Sequence, residues 1–256
     1  MNKVLEASHV IKIYNQHTKN EFEALHDICL DVYEGEFICI MGPSGSGKST
    51  LLNNLSTIDK PTKGSVMING KSVHHMGEID TGKFRYQNLG FIFQSFNLMD
   101  TLSIEDNIAV PLTLAGVDKI EIKERVLEIA KKLEIDSILH KYPVECSGGQ
   151  CQRCAVARAL VNQPKLIVAD EPTGNLDSKN SHELLNILKG LNEQEHVTIL
   201  MVTHDAMIAS YSKKVLIIRD GIIDEIVERE DSDQKEYFYR IVQANNKESM
   251  ELLFAV

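Results

Sequence analysis

Residues 42–50 read GPSGSGKST, between the apolar run FICIM at 37–41 and the stretch LLNNLSTI that follows. Gly42, Gly47, Lys48 and Ser49 stand at the spacing G-x-x-x-x-G-K-[ST]. A short apolar strand that ends in glycine and opens into a helix is the setting in which this spacing builds a phosphate cradle. Glycines let the backbone curl so that successive N–H groups point inward. The helix N-terminus adds the positive end of its dipole. Gly42, Pro43, Ser44, Gly45, Ser46, Gly47, Lys48, Ser49 and Thr50 are thus the expected nucleotide-binding loop. Lys48 supplies a mobile charge for the β- and γ-phosphates, and Ser49 a hydroxyl for Mg²⁺. A glycine-rich surface turn would share some of these letters, but not the strand before and the helix after.

Beyond the loop, strand-like and helix-like runs alternate. VLEASHVIKIY (4–14), ALHDICLDV (24–32), GSVMING (64–70) and LGFIFQ (89–94) read as strands, and KSTLLNNLSTI (48–58) as a helix. Residues 71–88 are polar and mixed. From SIEDNIAVPLTLAG to about residue 161 the pattern is helical, with Ile122, Val126, Ile129, Ala130 and Leu133 at helical spacing. KLIVAD (165–170) and HVTILMVTH (196–204) are strands flanking the helical SHELLNILKGLNE (181–193). KKVLIIRDGIIDEIV (213–227) reads as a hairpin turning at Asp220-Gly221. The alternation predicts an α/β fold: a P-loop core with a mostly parallel sheet, an N-terminal antiparallel β subdomain, and an α-helical subdomain inserted over about 96–161. The main domain is expected over 1–228, with an acidic loop and a helix over 229–256.

Ligands in such sheets bind beyond the C-terminal ends of the strands. Asp170 ends LIVAD and is the expected Mg²⁺ ligand, holding the ion through water. Glu171 comes next and is placed as the general base for an attacking water. His204 ends VTILMVTH, where it can hydrogen-bond the γ-phosphate or orient the water, and Gln94 ends GFIFQ, where its amide can reach Mg²⁺. Any one of these alone is ordinary at a strand end. Their weight comes from occurring together with the loop.

The chain has 256 residues, enough to bury a sizeable core, with 43% hydrophobic and 25% charged residues. A net charge of −10 disfavours nucleic acid as the main partner. No apolar run approaches the ~18 residues that span a bilayer. MNKVLEASHVIKIYNQ lacks the apolar core of a signal peptide, so a cytoplasmic protein without a disulfide framework is expected. Three of the five cysteines fall in ECSGGQCQRC (145–154) as C-x4-C-x2-C, which begins a plant-type iron–sulfur pattern. That pattern needs a fourth cysteine. Only Cys29 and Cys39 remain, and both sit in apolar runs.

With these residues in hand the chain resembles the ATP-binding subunits of ABC transporters over about residues 4–228. The resemblance rests on GPSGSGKST, Gln94, the signature SGGQ (147–150), LIVAD with Glu171, NLD (175–177) and His204. It implies an ATPase that uses Mg²⁺ and forms a head-to-tail dimer with a second copy. Each ATP would lie between one copy's loop and Ser147, Gly148, Gly149 and Gln150 of the other. Asp177 would couple the two sites, and Tyr14 would stack on adenine. It also implies a separate integral membrane permease, docked near Gln94 and SFNLMDTLS, and so a peripheral position on the inner face of the cell membrane. GFIFQSFNLMDTLSIEDNIAVPL and ADEPTGNLDS resemble the branch holding macrolide exporters, lipoprotein-release ATPases, the cell-division ATPase and bacitracin-type antimicrobial-peptide exporters. The bacitracin type fits best, on general texture. A soluble ABC ATPase working on nucleic acid or ribosomes is the other class, but such proteins usually carry coiled-coil inserts or paired cassettes. Cys146 replaces the leucine usual before SGGQ, which implies a thiol sensitivity without loss of the ATPase.

Overall fold

The computed structural model describes residues 2–73 and 76–254. Its backbone divides into two compact units, one of residues 1–75 with 189–256 and one of residues 76–188.

The first unit opens with β1 (Lys3–Tyr14), β2 (Phe22–Tyr33), β3 (Phe37–Met41), α1 (Lys48–Leu55), β4 (Lys63–Ile68) and β5 (Lys71–Ser72). β1, β2, β4 and β5 form an antiparallel sheet in the order β2-β1-β4-β5, with bulges along β1. Alternation turns Ala24, Ile28, Leu30 and Val32 of β2 inward and Cys29 outward. All five residues of β3 are buried, as a strand covered on both faces requires.

The second unit holds α2 (Glu78–Asn88), β6 (Leu89–Phe93), α3 (Ile104–Leu114), α4 (Lys119–Lys132), two 3-10 turns (Asp136–Ile138 and Pro143–Glu145), α5 (Gly148–Leu160) and β7 (Leu166–Asp170). α6 (Ser178–Glu195) follows, and its residues from 189 belong to the first unit. β6 and β7 run parallel, from Leu89 opposite Leu166 to Phe93 opposite Asp170. Ser103 caps α3 by accepting the Asp106 N–H (3.0 Å), and Asp118 caps α4 by accepting that of Ile120 (2.9 Å). α5 lies directly on β6: a Cβ on Gly90 would stand 2.3 Å from the Ala159 oxygen.

The chain completes the first unit with β8 (Ile199–Val202), α7 (Ala206–Ala209), β9 (Lys214–Arg219), β10 (Ile222–Glu228) and α8 (Gln234–Phe254). β3 is parallel to both β8 and β9, and β10 returns antiparallel on β9. The hairpin turns at Asp220 (φ +42°) and Gly221 (φ +75°), the two left-handed residues of a type I′ turn. α8 is pinned by Tyr237, which is fully buried and donates its hydroxyl to the Val227 oxygen (3.2 Å). The C-terminal segment expected to reach 256 is described to 254.

The α/β class with its antiparallel β portion and parallel strands stands, and four details differ from the expectations. α1 stops at Leu55 rather than 58, because Thr57 turns left-handed (φ +65°) behind the Ser56 cap. β8 covers only 199–202 of the expected 196–204, since His196 is left-handed (φ +55°) and Asp205 already caps α7. Residues 71–88 contain α2, whose buried side chains are only Thr81 and Phe84, too few to leave an apolar period. Cys29 is exposed despite its apolar neighbours.

Candidate nucleotide site

In the first unit, the loop between β3 and α1 closes on itself. Gly47 is left-handed (φ +100°), and a Cβ there would stand 2.8 Å from the Ala24 oxygen. At Gly42 the Ile218 oxygen would be only 2.1 Å away. Both positions therefore exclude side chains, and the backbone amides line the cradle. Lys48 is 8% exposed and donates Nζ to the oxygens of Gly42 (2.9 Å) and Pro43 (2.7 Å), folded over the loop it serves. Pro43, Ser44 and Gly45 form an exposed rim, Ser49 is exposed at the start of α1, and Thr50 is half-buried behind it. Ser46 Oγ is buried with no hydrogen-bond partner among the described residues, a polar atom left over for a ligand.

Tyr14 ends β1. It donates its hydroxyl to Asp59 Oδ2 (3.2 Å), and Lys12 Nζ lies 5.0 Å from its ring centroid while bonding Asp59 Oδ1 (2.7 Å). One face of the ring is therefore occupied by a cation. His204 is exposed just after β8. The next residue, Asp205, holds the Met207 N–H (2.7 Å) and so fixes where the chain turns into α7.

In the second unit, Asp170 is the half-buried last residue of β7, and Glu171 follows with a left-handed backbone (φ +43°). That reversal sends the Glu171 side chain off the strand's alternating path. Gln94 is exposed after β6, and its carbonyl accepts Asn175 Nδ2 (3.1 Å). Its amide lies over Gly174, where a Cβ would come within 2.5 Å of Nε2. The strand end after β6 and the loop after β7 are thus brought together.

SGGQ forms the N-terminus of α5. Ser147 Oγ accepts the Gln150 N–H (3.3 Å), and Gln150 Oε1 accepts the Ser147 N–H (3.0 Å), a reciprocal capping box. The first-turn amides of Gly148 and Gly149 have no partner inside the helix. Asp177 accepts both the N–H (2.8 Å) and the Nδ2 (2.7 Å) of Asn180, which holds its carboxyl below the usual carboxylate range. Asn180 Oδ1 in turn lies against Gly149, where a Cβ would meet it at 2.5 Å. The signature turn and Asp177 therefore share one contact, and Asn180 is a member of it that the motifs did not reveal.

Arg158 was also missed. It donates from α5 to the carbonyls of Asn97 and of Phe96 (2.7 Å). Phe96 (φ +62°) and Asn97 (φ +48°) are both left-handed, a rare conformation for a phenylalanine. An arginine ten residues past a glycine turn has no local signal; only the fold brings it to Gln94's loop.

Ser49, Gln94 and Asp170 offer hydroxyl, amide and carboxylate oxygens, the hard donors that suit Mg²⁺. Among the described residues no cluster of three His, Cys, Asp or Glu could hold a metal ion alone. Cys151 Sγ points to the Pro143 oxygen (3.5 Å) and Cys154 Sγ to that of Ile104 (3.9 Å), so both buried thiols are already turned to the backbone.

The sequence profile of the family described as ABC transporter matches residues 25–174, more than half of the chain. The chain belongs to the ABC transporter family. The ABC transporter ATP-binding protein YxdL of Bacillus subtilis is 47% identical over 93% of this chain and 91% of its own length. The bacitracin export ATP-binding protein BceA of Halalkalibacterium halodurans is 45% identical, covering 93% of this chain and 94% of its own. Among solved structures, the dimeric post-hydrolysis state of the ATP-binding cassette MJ0796 bound to ADP and Pi superposes with a TM-score of 0.80 at 37% identity, covering 88% of this chain and 98% of that one. The structure of cbiO1 from Clostridium perfringens, part of the ABC transporter complex cbiONQ, gives 0.81 at 26% identity over 99% of both chains. This ABC subunit binds ATP and hydrolyses it. Among its described residues no helix is long and apolar enough to cross a membrane.

Proposed function

We propose that this ABC ATPase is the motor of a bacterial exporter that confers resistance to antimicrobial peptides. In this reading two copies close head to tail on two ATP molecules and drive a separate membrane permease. The end of α5 carries most of the weight: Ser147 and Gly148 are exposed, and the first-turn amides point out of the helix. Such an end can receive a γ-phosphate held by the loop of another copy, and an isologous pair supplies two such sites. The dimeric cassette bound to ADP and Pi supports this by likeness.

In each site the amides of residues 42–47 and Lys48 bind the phosphates, and Thr50 supports the turn. Tyr14 stacks the adenine on its face away from Lys12. Ser49, Gln94 and Asp170 would hold Mg²⁺, which neutralises charge on the β- and γ-phosphates when bound. Glu171 accepts a proton from the attacking water, and His204 orients that water or the γ-phosphate. Asp177 links one signature turn to the opposite site.

The permease is proposed to dock in a groove of about 440 Å³ within the second unit, lined by Arg85, Tyr86, Phe91, Phe93, Pro111 and the 60%-exposed Leu114. Phe91 and Phe93 stack at 5.6 Å and form a flat apolar floor that suits a short helix. The peptide substrate rests on likeness to the bacitracin exporter ATPase.

The deciding experiment is Glu171→Gln with ATP. It is expected to bind ATP, to hydrolyse it about a hundredfold or more slowly, and to accumulate as a dimer on gel filtration. Hydrolysis at the parent rate would refute the role of Glu171. Co-purification with no membrane protein would sink the transporter reading.

A further inference from the structure

Two cysteines of ECSGGQCQRC occupy special positions around the signature cap. With Ser147 as N-cap of α5, Cys146 is the residue before the cap and Cys151 the fourth residue of the helix. Side chains at these two positions pack on each other as a hydrophobic staple that fixes the angle at which the chain enters a helix. Here both halves of the staple are thiols. Their placement agrees with this: the Cys146 backbone N–H (3.0 Å) and Cys151 Sγ (3.5 Å) both donate to the Pro143 oxygen, and the Cys146 thiol is near enough to help burial raise that of Cys151. Between them lie the four residues of SGGQ.

We infer that Cys146 and Cys151 are a redox-addressable thiol pair, which closes to an intrachain disulfide with low-molecular-weight disulfides and thereby switches ATP hydrolysis off. Cys146 is the entry point because it is half-buried, whereas Cys151 is 6% exposed. Its thiolate attacks a small disulfide RSSR, forms a mixed disulfide and releases one RS⁻. Cys151 then attacks the Cys146 sulfur and releases a second RS⁻. Two S–H bonds are lost, one S–S bond forms, and RSSR is reduced to two thiols. Closure draws the two Cβ atoms to about 4 Å, tighter than a packed staple requires. The cap hydroxyl of Ser147 and the amides of Gly148 and Gly149 move with it.

Cys154 is the wrong partner. It is 0% exposed, its Sγ faces the Ile104 oxygen, and burial pushes its thiol up to about 12. Burial also raises Cys146 and Cys151 above the usual thiol range, so the pair reacts slowly near neutral pH and faster as pH rises. It responds to sustained disulfide stress rather than to a passing oxidant.

The activity arm rests on the proposed role of SGGQ, so the test reads chemistry and activity separately. Reduced full-length protein is treated with an aromatic disulfide, and its peptides are mapped by mass before and after a thiol reductant. The expected result is loss of two hydrogens per chain with a 146–151 link. Hydrolysis should fall at least about tenfold, as misplaced binding groups cost, and the reductant should restore it. Cys146→Ala, and Cys146→Leu with its apolar staple, should keep their hydrolysis under the same treatment. A missing 146–151 link after full reaction at Cys146 overturns the pair. Inhibition that persists in both variants, or a link that leaves hydrolysis unchanged, overturns the switch. Ser147→Ala in the reduced state reads the signature role itself, and unchanged hydrolysis there counts against that role, not against the thiol chemistry.

Discussion

Glu171 bears its carboxylate on a backbone that L-residues avoid (φ +43°). A non-glycine residue there costs about 1 kcal/mol. Comparing Glu171→Gly with Glu171→Ala isolates that cost, since both delete the carboxylate. The glycine variant should be more stable by about 1 kcal/mol in urea unfolding, while both lose ATP hydrolysis. Equal stability would mean the turn is unstrained. Lys48 presents the complementary case. It already donates to two loop carbonyls, so its charge is held over the loop proposed to bind phosphates. Lys48→Ala should weaken ATP binding about 10- to 100-fold, the worth of one charged hydrogen bond, as read by equilibrium titration of a fluorescent nucleotide. The roles proposed for these residues rest on letter and spacing, which a sequence carries. Arg158 and Asn180 stay hidden, because an arginine or an asparagine is common on any helix, and only tertiary contact brings Arg158 to Phe96 and Asn97 and Asn180 to Gly149.

Elements follow the same division. β3 and β7 announced themselves as unbroken apolar runs, as strands buried on both faces must. α2 stayed hidden because a helix that buries two side chains has no stripe to show. α8 was visible as a C-terminal helix, but its fixing point was not. Tyr237 is fully buried with its hydroxyl on Val227, and burial lifts its ionisation well above the ordinary value of 10.0. The neutral phenol is favoured in the folded state, so this stability is fully present below pH 10 and is lost as pH climbs beyond it. Tyr237→Phe should cost about 1 kcal/mol near neutrality and should flatten the alkaline loss of stability, measured by urea midpoints across pH. An unchanged alkaline slope would assign that loss to other groups.

For the whole molecule, charge sets a condition on assembly. Each chain carries −10 before any nucleotide binds, so two copies repel as they approach. Salt shortens the reach of that repulsion from about 30 Å at 10 mM to about 8 Å at 150 mM. The ATP-bound dimer of Glu171→Gln should therefore become more populated over that range, as read by sedimentation against the 28.7 kDa single chain. A dimer that melts with salt would instead point to ion pairs across its interface. Within the second unit, α5 joins two distant tasks in one rod. SGGQ stands at its first turn, and Arg158 grips the left-handed Phe96-Asn97 bend ten residues further on, about 15 Å along the axis. A helix is stiff over that length, so a tilt imposed at one end is delivered at the other. α5 is in this sense a lever: whatever pulls on its glycine end also tugs the bend beyond Gln94, with no chain of intermediate side chains needed to carry the message.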